Sequence, residues 1–241
     1  MSLFFLFYTN KNIIFARYMK KLKTTLISDT HGFHNRVKIE PTDILIHAGD
    51  STNYKDIYKN EKEFKVFLDW ISTREAKYII MVAGNHDKSC LRKYWKDAIK
   101  EAGVIYLEHE YYEIEGRKFF GSPYTPTFGD WSFMVSRQKL GTYWEVLEEG
   151  IDVLITHGPP KGVLDIAEKA DGNIEFCGDS ALMKAVNKVK PKYHVFGHIH
   201  DNHNIKNNGF RIIDNTTFIN ASMVEDGKFG DVINKPIIIE I

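Results

Sequence analysis

Cysteine is scarce in this chain: Cys90 and Cys177 are the only two in 241 residues, and they have neither metal-knuckle nor disulfide-framework spacing. They read as reduced thiols, so a cytoplasmic location is the expectation. An excess of one charge is also lacking, since Lys+Arg and Asp+Glu balance at 32 each. No global field draws the chain to a polyanion, and no stable nucleic-acid partner is expected. No apolar run approaches the ~20 residues that span a bilayer, which excludes a membrane helix as a partner of lipid. The run from Leu3 to Tyr8 is shorter even than a signal-peptide core, and no positive charge precedes it. Residues 1–18 are therefore expected to be a dispensable extension, followed by a single domain over 19–241 that opens at Met19. Repeats, low-complexity tracts and linkers are missing too. What is present is a 43% hydrophobic content, enough for one large packed α/β domain.

Five short runs rich in Ile and Val, at 24–28, 44–48, 78–83, 151–156 and 193–196, read as buried strands with both faces apolar. Helical patterns lie between them. Phe64, Phe67, Leu68 and Ile71 fall at spacings of three and four within residues 60–71, one apolar stripe. Ser89 is expected to cap a helix that runs to Glu101, with Gly103 just past its end. Asp179 or Ser180 begins another, carrying Leu182, Met183, Val186 and Val189 until Pro191 stops it. Residues 111–114 and 118–120 form a hairpin across Glu115-Gly116. A second hairpin is expected to turn at Asn207-Asn208-Gly209, between Ile205 and residues 210–213. The run from Ile237 to Ile241 reads as a last sheet strand. Together these make an α/β domain with a mixed sheet and helices outside.

Each of the five apolar runs ends in groups that can bind a hard or borderline cation: Asp29-Thr30-His31, Gly49-Asp50, Gly84-Asn85-His86-Asp87, Thr156-His157-Gly158-Pro159-Pro160 and Gly197-His198-Ile199-His200. Ligands of open α/β sheets collect beyond the carboxyl ends of the strands, so five such strands would deliver these groups to one crevice. Taken singly each cluster is weak, because Asp-x-His and Gly-Asp are frequent by chance. Their joint occurrence, in order and each after an apolar run, carries the inference. If the segment is extended, His198 and His200 point to one side. The donors are nitrogen and oxygen without thiolate, which disfavours a structural zinc cage and favours a site with open positions.

The order DTH, GD, GNHD, THGPP and GHIH resembles the calcineurin-like metallophosphoesterase superfamily, from Lys23 to Ser222 with all five blocks intact. Residues 121–126, 156–160, 194–200 and 219–222 are similar, more narrowly, to the class III cyclic nucleotide phosphodiesterase-like subgroup of fetal-brain protein 239 related metallophosphodiesterases. The resemblance implies a four-layer sandwich of two mixed β-sheets flanked by helices. It implies two divalent ions drawn from Mn, Fe, Zn, Co or Ni, with Mn favoured for activity in vitro. Asp29, His31 and His200 would hold one, Asn85, His157 and His198 the other, and Asp50 would bridge. Some vertebrate members of the subgroup replace a histidine of the last block by glycine; this chain keeps His198 and His200. A metal-bridging hydroxide would attack phosphorus in line, on a small phosphodiester or nucleotide, cyclic nucleotides among them. His86 would protonate the leaving oxygen, and Asp87 would hold the His86 tautomer unless it caps the helix that follows.

Other residues have two readings. His47 lies inside a strand and suits a satisfied core histidine. His34 and His203 stand near ligand blocks, as substrate contacts or as solvated loop residues. Arg36, Arg137 and Lys161 are candidate phosphate-binding cations. Tyr124, Phe128 and Trp131, in segment 121–131, would stack a base or pack. Two rival functions stay open: a phosphomonoesterase of the protein-phosphatase or nucleotide-pyrophosphatase kind, and a catalytically silent binding module. The second requires missing ligands, and none of the seven is missing.

Overall fold

The computed structural model describes residues 20–169, 171–202, 205–226 and 234–241 in full, and residues 4–9 and 12–17 by backbone alone. Met19 and His203 lie outside the described residues. Strands β1 (Phe4–Thr9) and β2 (Asn12–Arg17) pair with each other in an antiparallel hairpin.

Two mixed sheets follow. The first has the order β17 (Ile237–Glu240), β3 (Lys23–Ile27), β4 (Thr42–His47), β5 (Ala76–Met81), β6 (Ile105–Tyr106), with β17 antiparallel and the rest parallel. The second has the order β15 (Gly209–Ile213), β16 (Thr216–Asn220), β14 (Tyr193–Phe196), β11 (Val153–Thr156), β8 (Arg117–Ser122), β7 (Glu110–Ile114). Its middle is parallel and an antiparallel pair forms each edge. Two short pairs lie in the connections: β9 (Thr125–Pro126) with β10 (Met134–Val135), and β12 (Ile166–Glu168) with β13 (Ile174–Phe176). The helices are α1 (Ile57–Ile71), α2 (Lys93–Glu101), α3 (Arg137–Tyr143) and α4 (Ser180–Val189).

Alternation along the strands sorts the core into layers. Ile44 and Ile46 of β4 enter the space between the sheets, where Phe119, Val153, Ile155, Val195 and Ile219 meet them. Leu45 turns the other way, onto Phe64, Phe67 and Ile71 of α1. Beyond the second sheet, Phe120, Leu154, Phe196 and Phe218 pack on Leu140, Leu182 and Val186 of α3 and α4. Three apolar layers separate four structural ones, which is the expected four-layer sandwich. Burial on both faces is also why the strands read as unbroken apolar runs.

Two local expectations are corrected. Ser89 does not cap a helix: its N–H and Oγ both donate to Asn60 Oδ1, at 2.9 and 2.7 Å, and α2 begins only at Lys93. The second hairpin turns later than Asn207-Asn208-Gly209. The backbone N–H groups of Asn207 and Asn208 donate instead to Asp201 Oδ1, at 2.7 and 2.9 Å. The strand after them pairs forward with β16 across Asp214, whose φ of 51° makes the turn. Asp179 does cap α4, accepting from the N–H groups of Ala181 and Leu182 at 2.9 and 3.2 Å.

Candidate metal centre

The chain leaves β3, β4, β5, β11 and β14 at the rim where the two sheets meet, and at four candidate ligands it does so with a left-handed backbone. Asp29 has φ 53°, His31 41°, Asp50 56° and His198 70°. Such a conformation is uncommon for residues with a Cβ, and it persists where the surroundings over-determine it. Here the loops hold one another: Asp29 N donates to Gly49 O at 2.8 Å, His31 N to Asp50 O at 3.1 Å, and Gly197 N to His157 O at 2.9 Å. The glycines of the motifs make room for the carboxylates. A Cβ on Gly84 would stand 2.2 Å from Asp50 Oδ1, and one on Gly197 2.0 Å from Asp29 Oδ2.

The side chains converge in two groups around Asp50. In the first, His200 Nε2 lies 3.2 Å from Asp29 Oδ1 and 3.3 Å from His31 Nε2. In the second, His157 Nε2 lies 3.3 Å from Asp50 Oδ2 and 3.0 Å from Asn85 Oδ1. Asp50 Oδ2 is also 3.8 Å from His31 Nε2, so it stands between the groups. Ligand atoms of Asp29, His31 and His200 lie within 4.8 Å of one another, and so do those of Asp50, His157 and His198. The segment is not extended at His198, where φ is 70°, and the two imidazoles belong to different groups, as the resemblance implies. The structure thus brings all seven candidate ligands together.

The outer ring nitrogens fix how these imidazoles point. Nδ1 of His31 meets Thr52 O at 3.1 Å, and that of His157 meets Ala48 O at 2.9 Å. Nδ1 of His200 meets a carboxylate instead, Asp226 Oδ1 at 2.7 Å. Sequence reasoning missed Asp226. A bridge between Asp201 and Glu225 brings it there, and the only signal in the sequence was an acidic pair following residues 219–222.

Asp29 and Asp50 are 0% and 2% exposed, and imidazoles are the ionisable partners found for both. Two buried carboxylates this close together, with imidazoles as their ionisable partners among the described residues, are costly in water-free surroundings and well suited to cations. The donor set, nitrogen and oxygen with a shared carboxylate, fits two divalent ions. Burial works against the imidazolium of His157, yet Asp50 beside it prevails and holds its pKa up to about 9. Burial opposes charge on His200 as well, but hydrogen bonds to Asp226 and Asp29 hold it up to about 10. Burial raises the carboxyl of Asp29, but its hydrogen bond to His200 and the charges of His200 and His157 together outweigh that, and it ends below the usual carboxylate range. Burial pushes His31 down to about 4 and His198 down to about 3. Dications entering this site would displace protons from His157 and His200, so their binding weakens as pH falls.

His86 sits at the edge of the centre. Its N–H donates to Asp50 Oδ1 at 2.7 Å, and its ring meets that of His31 edge-on at 4.7 Å. Trp131 lies over it at 4.2 Å, tilted by 30°. Asp87 does not hold the His86 ring: Asn53 O does, at 3.1 Å from Nδ1. Nor does the Asp87 side chain cap the helical turn at 88–91 that follows it. Its carboxylate accepts from Ser51 N and Ser51 Oγ at 2.9 and 2.6 Å and from Gly84 N at 2.8 Å, which ties the loop after β4 to the loop after β5. Burial and the nearby Asp50 raise its pKa to about 6.

Of the remaining candidates, His47 is a core histidine, its Nε2 3.1 Å from Thr30 Oγ1. His34 is neither a substrate contact nor solvated, since it is buried between the rings of Phe67 and Trp70. Tyr124 packs among His109, Phe133 and Tyr143. Arg36 lies over the Phe33 ring, and Lys161 is exposed. Arg137 donates to the carbonyls of Cys177 and Gly178, both at 3.0 Å.

Comparison with known proteins places this geometry in a wider group. The family model described as calcineurin-like phosphoesterase matches residues 22–202. Metallophosphoesterase domain-containing protein 1 of Homo sapiens is 32% identical over 240 residues, covering 89% of this chain and 69% of that protein. UPF0046 protein K07C11.7 of Caenorhabditis elegans is 36% identical over 234 residues, covering 91% and 75%. The fold is shared with the crystal structure of phosphopantetheinyl hydrolase from Mycobacterium tuberculosis, with a TM-score of 0.54 at 18% identity, covering 83% of this chain and 88% of that one. No helix among the described residues is long and apolar enough to cross a membrane.

Proposed function

The chain belongs to the calcineurin-like phosphoesterase family, and from that premise we propose that it hydrolyses small phosphodiesters, cyclic nucleotides included, at a two-metal centre around Asp50. The observation that carries this reading is the position of the Asp50 carboxylate between two ligand groups. Asp29, His31 and His200 would hold one divalent ion, and Asn85, His157 and His198 the other, with Asp50 shared. Bound there, two ions supply Lewis acidity toward phosphoryl oxygens and bring the pKa of water towards neutrality.

The chain's own groups do the rest. Asp50 sets the spacing of the two halves and orients the 85–86 segment through the His86 N–H. His86 has Nδ1 committed to Asn53 O, which leaves Nε2 as the ring nitrogen that would give a proton to a leaving oxygen. Asp87 acts at one remove, locking the two loops that carry Asp50 and Asn85. Asp226 orients His200. Replacing a carboxylate that supports a ligating histidine typically costs about 10- to 100-fold in metal affinity or activity. Asp226→Ala is thus expected to weaken Mn binding about tenfold, read by titrating Mn into chelator-treated protein; an unchanged affinity would remove Asp226 from the site.

Protein purified without chelator, assayed with Mn on bis(p-nitrophenyl) phosphate and on p-nitrophenyl phosphate, tests the reading. Faster Mn-stimulated turnover of the diester is expected. A preference for the monoester would make the chain a phosphomonoesterase, and no Mn-stimulated turnover of either would make it a silent relative.

A further inference from the structure

Two cavities open beside the centre, and one loop lines both. The smaller, about 170 Å³, lies against Asn85 and His86 and takes Asp130, Trp131 and Ser132 from the loop. The larger, about 450 Å³, lies against His198 and takes Pro126, Thr127 and Phe128. Gly129 stands at the change-over. The loop is pinned at both ends: Thr127 N donates to Val135 O and Ser132 N to Asn85 O, each at 3.1 Å. It therefore divides the mouth of the site in two.

The two cavities differ in chemistry. Phe128 is 61% exposed, an aromatic ring that fills no core; it meets the His198 ring at 5.3 Å. Arg137, fixed through the carbonyls of Cys177 and Gly178, brings a cation to the same cavity. The smaller cavity has Lys55, whose Nζ lies 4.9 Å over the Trp131 ring, and Lys88. Beneath them the Trp131 ring rests on His86.

A phosphomonoester has one substituent to house, a diester two. Resting on the phosphodiesterase reading above, we propose that the 126–132 loop separates two subsites for the two arms of a diester, with a planar aromatic arm such as a nucleobase stacked on Phe128. The leaving arm occupies the smaller cavity, because His86, the proton donor, lines that one and not the other. In the reaction a water oxygen joins phosphorus, and the bond from phosphorus to the leaving oxygen breaks. The leaving oxygen takes the His86 proton, and the proton lost by water goes to solvent and restores His86. For an open-chain diester the products are an alcohol from the smaller cavity and a phosphomonoester whose planar arm is still on Phe128; a cyclic diester opens to a single phosphomonoester.

The test compares thymidine 5′-(p-nitrophenyl phosphate) with methyl p-nitrophenyl phosphate, which share a leaving group and differ in the retained arm. Loss of base stacking on the aromatic ring means Phe128→Ala is expected to lower the ratio of the two kcat/KM values about 5- to 150-fold. Phe128→Leu, which keeps bulk without an aromatic face, lowers it as well, and Phe128→Trp preserves it. Melting temperature and Mn content identify any variant that has lost the fold. A ratio unchanged in both Ala and Leu, or lost equally in Trp, overturns the subsite while leaving the phosphodiesterase reading intact. Failure of the wild-type protein to turn over either diester with Mn overturns both.

Discussion

Asp50→Asn is expected to lower phosphodiester turnover by about 10³-fold or more, with bound metal falling below two ions per chain. The substitution keeps shape and an acceptor oxygen for the His86 N–H, which lies 2.7 Å from Oδ1. What it removes is charge, at the one position facing both ligand groups. Two unit charges ~4 Å apart interact by about 4 kcal/mol at an effective dielectric of ~20, and a term of that size is a factor of about 10³. Repulsion between the ions then has no shared anion to offset it. The same change takes from His157 the partner that holds its pKa up to about 9 against burial. Elemental analysis beside steady-state kinetics reads both effects. Full metal content with near-normal turnover would contradict the bridging role.

His86→Ala is expected to behave differently, losing rate while keeping metal. General acid catalysis contributes roughly 10²–10⁴-fold, and the loss should reach that range for an alkyl leaving group. For p-nitrophenolate, which departs without a proton, the loss should be much smaller. Alanine retains the backbone N–H that holds Asp50, and the seven candidate ligands do not include the removed ring. The opposite outcome has a structural basis, because ligand atoms of His31, Asp50 and His86 also lie within 4.8 Å of one another. Metal lost along with the ring, with equal rate losses on both leaving groups, would make His86 a ligand and not an acid.

Much of this centre was legible because the chemistry sits where strands end, and strand ends are marked by the switch from an apolar run to a polar cluster. Ile44 to Ala48 announces Asp50, and Tyr193 to Phe196 announces His198. That the strands need cover on both faces was legible too, but the division into two sheets came only from the family resemblance. Features fixed by contacts distant in sequence were not legible. Ser89 has the composition of a cap but is claimed by Asn60 of another helix. Asp87 stands beside His86 in sequence, yet its carboxylate turns to Ser51 and Gly84. Asp226 reaches His200 only through a bridge between Asp201 and Glu225. Positive φ at His198 means the segment is not extended there, and no residue pattern signals such a turn at a histidine.

The most direct test of the two-metal centre is the number of Mn ions bound per chain, titrated into chelator-treated protein and counted after desalting. Two ions in the wild-type chain, and fewer in Asp50→Asn, is the expected result. One ion or none in the wild-type chain, or two retained in Asp50→Asn, would contradict a centre built around a shared Asp50 carboxylate.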